Sequence, residues 1–131
     1  MNKKEFIIFI LALVLPFIYF RTIGLLLVDK GYTPFTRNLT GLNVHHLHFG
    51  ILYMVIAALI IILYKKNIFS IALMGIGLSF VLDEFTSTLY IQTIRTEELL
   101  VYSQHLFDTI ILFLIVIIIS LLFYLKSIKG K

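Results

Sequence analysis

The chain has no cysteine, no tryptophan and only two prolines in 131 residues. The missing cysteine excludes disulfides, thiolate nucleophiles and cysteine-bound metal clusters. Charge is also scarce. Charged residues make up 14% of the chain, where a soluble globular domain carries about 25%. The few basic residues that give the net charge of +4 sit at the ends of apolar runs. They do not interleave with exposed aromatics, so the balance marks membrane flanks and not a nucleic-acid footprint.

Apolar sequence fills what remains. Hydrophobic residues reach 60% and the mean hydropathy is +1.05. A chain this short cannot hide that much apolar surface from water. Four runs reach the length of a membrane helix, about 18 residues or more. They cover about residues 5–28, 45–64, 68–91 and 105–125. The expectation is an all-α membrane protein, a four-transmembrane-helix bundle forming a single integral domain over residues 1–131. The basic start and apolar first run mimic a signal peptide. Pro16 and Arg21 interrupt that run and no small-x-small cleavage site follows it, so it reads as a retained helix kinked at Pro16.

Lysine placement predicts the topology. Lys3, Lys4, Lys65, Lys66, Lys126, Lys129 and Lys131 fall on one side, and Lys30, Arg37 and Arg95 on the other. The positive-inside rule then puts both termini in the cytoplasm of a multi-pass cell-membrane protein. Tyr64 and Tyr124 would anchor the inner interface, and Tyr32, Tyr90 and Tyr102 the outer one.

Under that topology the unusual polar residues share one depth. Asp83 lies fifteen residues beyond Ile68, roughly 22 Å up a helix rising about 1.5 Å per residue. Asp83 and Glu84 therefore enter the outer leaflet. His45, His46 and His48 open the second run there, His105 and Asp108 open the fourth, and Arg21 lies in the outer third of the first. His45 and His48 share a helix face by their i,i+3 spacing, as do His105 and Asp108. That spacing makes His48 and Asp83 the expected central pair and His46 a bystander. Asp83 and Glu84 point about 100° apart, so only one is expected to face the centre. Ala72, Gly75, Gly77 and Ser79 give the third run a small face for close helix approach.

Three carboxylates against one arginine leave two negative charges uncompensated, each costing about 2.5–3.5 kcal/mol in mid-membrane. The layer must protonate, admit water or bind a cation. Imidazoles beside carboxylates suit a divalent metal ion such as zinc, iron or manganese. His45, His48, Asp83 and His105 are the candidate metal ligands. Glu84 or Asp108 would be the general base of a membrane hydrolase or transferase, and Arg21 would hold a lipid or anionic small-molecule substrate. The same residues also fit an ion- or proton-binding protein, or an accessory subunit held by a polar clasp. His48 and His105 further suit haem ligation. A pore would require an oligomer, because the inner half of one bundle is almost purely apolar.

Two motifs carry a resemblance. His45-His46-x-His48-x-Gly50 and Gly75-x-Gly77-x5-Asp83-Glu84-Phe85 resemble those of small uncharacterised prokaryotic four-helix integral membrane proteins. The resemblance covers the second and third runs, more loosely the fourth, and implies the fold without an activity. The ingredients are also similar to those of seven-helix membrane hydrolases related to alkaline ceramidase. Four runs and a different order of ligands set this chain apart from that group.

Overall fold

A computed structural model of the chain describes residues 1–28, 46–90 and 105–129. Within them the chain forms four helices: α1 (Lys3–Val28), α2 (His46–Tyr64), α3 (Ile68–Tyr90) and α4 (Leu106–Lys129). Each is long and apolar enough to cross a membrane. The boundaries lie within a few residues of those expected from the apolar runs. Helix α1 runs on through Pro16. The loop readings, including Tyr32, Lys30, Arg37, Arg95 and Tyr102, lie outside the described residues.

Two helices start from reciprocal side-chain caps. Asn2 Oδ1 accepts from the Glu5 amide and Glu5 Oε2 accepts from the Asn2 amide, both at 2.8 Å. At α3, Asn67 Oδ1 accepts from the Ser70 amide at 2.8 Å, and Ser70 Oγ accepts from the Asn67 amide at 3.1 Å. Each pair satisfies two amides that the first helical turn leaves orphaned. Lys65 ends α2 with φ at 84°, the left-handed conformation that lets the chain reverse within a three-residue turn.

Helix α3 is the axis of the bundle. Of the residues in its spanning part 44% are buried, against 11% in each of the other three. Its glycines explain why. A Cβ on Gly77 would lie 2.7 Å from the Gly50 carbonyl oxygen, so α2 crosses here backbone on backbone. A Cβ on Gly75 would lie 2.8 Å from both Ala12 Cβ and the Phe9 carbonyl oxygen, so α1 closes on another side. The small residues thus serve two directions and not the single face expected. A compact core of Leu13, Leu82 and Phe113 ties α1, α3 and α4. Phe17 and Phe113 meet with ring centroids 4.3 Å apart.

The helices alternate in direction. Phe6 stacks on Tyr124 with centroids 4.3 Å apart, and Glu5 pairs with Lys66 at 2.8 Å. The start of α1, the α2–α3 turn and the end of α4 therefore share one end. Isoleucine, leucine and phenylalanine cover the outside; Ile62, Leu122, Phe107 and Phe123 are all well exposed.

Overfilling the α2–α3 crossing tests this packing. Gly50→Ala and Gly77→Ala should each lower stability by about 1–3 kcal/mol in reversible SDS unfolding, while Leu122→Ala on the exposed face of α4 should change it little. Unchanged stability in both glycine variants would show that the two backbones do not touch.

Candidate functional site

At the end of the bundle opposite the lysine turn, α3 carries Asp83 and Glu84, with 2% and 6% exposure. Both acids are buried, where one was expected to turn away. The reason is the central position of α3: a helix with neighbours on several sides has more than one inward direction.

Asp83 faces α1 and α4. Arg21, itself 5% exposed, donates through Nε to Asp83 Oδ1 at 2.5 Å and through Nη2 to the Asp83 carbonyl oxygen at 3.0 Å. Nη2 also donates to Thr109 Oγ1 at 3.2 Å. The Thr109 hydroxyl in turn donates to the His105 carbonyl oxygen at 2.9 Å, one turn back on α4. The Arg21 guanidinium lies 5.8 Å from the Phe17 ring centroid, within cation–π range.

Glu84 faces α2. Its Oε2 accepts from the Leu47 amide at 3.0 Å, so a carboxylate from another helix caps the N-terminus of α2. An anion there meets an orphaned amide and the positive end of the helix dipole. The cap holds the first turn of α2 against α3 and brings in His46. Its Nε2 lies 3.0 Å from Asp83 Oδ2 and its Nδ1 lies 3.0 Å from Glu84 Oε1. Phe20 stacks on the imidazole at 5.4 Å and 11°.

Counting protons at these contacts gives the charge of the site. Each nitrogen–carboxylate contact needs one proton between its atoms, because a carboxylate oxygen and an unprotonated ring nitrogen are both acceptors. His46, Asp83 and Glu84 therefore hold two protons between them. An imidazolium with two carboxylates sums to −1. A neutral imidazole with one carboxylic acid and one carboxylate also sums to −1. Arg21 brings the set to zero. Without its shared proton the site would carry a net charge in an apolar bundle.

This outcome revises the choice of histidine. His46 is the bridge between the acids, and His48 is exposed on the first turn of α2. His45 lies outside the described residues. Arg21, Asp83 and Glu84 come together as their common depth implied. Arg21 is turned inward onto protein groups. Both Glu84 oxygens are engaged, one by His46 and one by the Leu47 amide. His105 Nδ1 meets Asp108 Oδ2 at 2.9 Å, as their spacing required. That pair is linked to the buried set through the Thr109 hydroxyl and the His105 carbonyl. Among the described residues, no group of three histidine, aspartate or glutamate side chains is arranged to hold a metal ion. Thr109 was not singled out from sequence. The available signal was a hydroxyl one helical turn after His105 and next to Asp108, at the polar start of a long apolar run.

No protein-family model, curated protein or solved structure matches this chain.

The buried pair can be measured by a double-mutant cycle. Arg21→Met alone should cost about 3–5 kcal/mol in SDS unfolding, since it strands a buried carboxylate. Arg21→Met with Asp83→Leu should cost clearly less than the two single changes added together. Additive costs would mean that the two residues are not partners. Thr109→Val removes an acceptor from Arg21 and should cost about 1–3 kcal/mol.

Proposed function

We propose that the chain is a multi-pass membrane protein with both termini on the cytoplasmic side, and that Arg21, His46, Asp83, Glu84 and Thr109 form a proton-holding clasp at its outer end. The outward apolar surface and the four span-length helices support the membrane setting. One observation carries the clasp: both ring nitrogens of His46 lie 3.0 Å from carboxylates on adjacent residues of α3. The shared proton is what lets two acids and one arginine lie together at low exposure. The His46 side chain is 26% exposed while that of Asp83 is 3% exposed, so exchange with the surroundings runs through the imidazole edge. Loss of the proton would leave two adjacent carboxylates on α3, one of them facing an unprotonated ring nitrogen of His46, and so remove the attraction that holds α2 at the outer end. The function this supports is that of a proton-responsive accessory membrane protein. A metal-dependent hydrolase or transferase built on the same residues is the competing reading.

Charge rescue at a single pH separates the two. His46→Gln leaves two carboxylates facing Arg21, with one uncompensated charge at about 2.5–3.5 kcal/mol. His46→Gln combined with Glu84→Gln restores neutrality and keeps an acceptor for the Leu47 amide. The double variant should recover most of the lost stability. Failure to recover, together with a stoichiometric divalent metal in the wild type that is lost in His46→Gln, would replace the clasp by a metal centre.

Topology is open to direct labelling because the natural chain has no cysteine. In intact cells a membrane-impermeant maleimide should label Asn38→Cys and leave Lys66→Cys unlabelled. The reverse pattern would invert the protein in the membrane.

A further inference from the structure

The opposite end of the molecule carries a second feature, unrelated to the clasp. Lys3, Lys4, Lys65, Lys66, Lys126 and Lys129 gather there, brought together by the Phe6–Tyr124 stack and the Glu5–Lys66 pair. Among the described residues the only carboxylate at this end is Glu5. Its Oε2 is already engaged by Lys66 Nζ and by the Asn2 amide, both at 2.8 Å. Lys3 and Lys4 are exposed and take part in no ion pair among the described residues.

An open groove of about 410 Å³ lies beside them, lined by Lys3, Lys4, Ile7 and Ile8. The spacing sets its chemistry. Lys3 and Ile7 are four residues apart, as are Lys4 and Ile8, so each ammonium stands one turn beyond an isoleucine on the same face. One turn is about 5.4 Å along the helix. The groove itself is almost wholly apolar, walled by the two isoleucines and the lysine stems, with the lysine side chains at its mouth. A free anion would use only the mouth, and a neutral lipid only the wall.

We propose that this groove binds one anionic phospholipid, with its phosphate between the Lys3 and Lys4 ammonium groups and an acyl chain against Ile7 and Ile8. Charge complementarity selects the occupant. Basic pockets at the cytoplasmic side of membrane helices meet the anionic inner leaflet, whose negative surface potential attracts lysines held near it. The inference rests on the membrane reading above but not on the clasp.

The test is native mass spectrometry of full-length protein released from nanodiscs of mixed phosphatidylglycerol and phosphatidylcholine. Wild type should retain one phosphatidylglycerol in preference to phosphatidylcholine. Lys3→Gln with Lys4→Gln should weaken that retention tenfold or more. Ile7→Ser with Ile8→Ser should weaken it while leaving the charge intact. Lys126→Gln with Lys129→Gln, an equal loss of charge at the same end, should leave it unchanged. Equal loss in both lysine pairs would reduce the effect to diffuse surface charge and overturn the site. So would a wild type that enters nanodiscs and retains neither lipid. A chain that cannot be incorporated into nanodiscs at all would overturn the membrane reading together with the site.

Discussion

Electroneutrality in an apolar surrounding is the constraint on which this structure depends. Two carboxylates, one guanidinium and one imidazole are gathered where few water molecules can reach them. Each ion alone would be costly there. Together, with one shared proton, they sum to zero and satisfy one another's hydrogen bonds. The network reaches all four helices: Arg21 from α1, His46 and the Leu47 amide from α2, both acids from α3, Thr109 from α4. The apolar packing of such a bundle is weakly directional, since one leucine-rich face resembles another. The polar set supplies the direction that apolar contact lacks.

Helix α3 makes the arrangement feasible because of what it leaves out. Gly75 and Gly77 bring α1 and α2 to backbone distance on different sides. With both neighbours that near, the short reach of an aspartate or a glutamate is enough to bridge helices. Bulkier residues at the two glycines would hold the backbones apart and leave the acids short of Arg21, His46 and the Leu47 amide. Close approach and charge pairing are thus one design on one helix.

Much of this was legible in the sequence, for identifiable reasons. Span-length apolar runs announce helices whatever their neighbours, so the four elements could be read directly. Depth along a helix is simple arithmetic, and it placed Arg21, Asp83, Glu84 and the histidines in one layer. Rotation about the helix axis was harder. The choice of His48 over His46 rested on i,i+3 spacing within α2, but the orientation of α2 is set from outside, by the Glu84 cap on the Leu47 amide. A contact between residues 37 positions apart leaves no local trace. The same holds for the expectation that only one acid faces inward, which assumed a peripheral α3. Thr109 was passed over because a threonine in an apolar helix normally bonds back to its own preceding turn. It does so here, to the His105 carbonyl, and serves Arg21 as well.

The distance along the chain between Arg21 and Asp83 bears on how the protein is made. The two residues are 62 positions apart, and α2 lies entirely between them. On the membrane reading proposed above, a ribosome feeding the chain into a bilayer would deliver α1 with its guanidinium long before the matching carboxylate has been translated. During that interval Arg21 must reach upward to headgroups and water, as long basic side chains do. Only the arrival of α3 draws it down and inward. Assembly of this bundle is therefore ordered in time by a charge that waits for its partner.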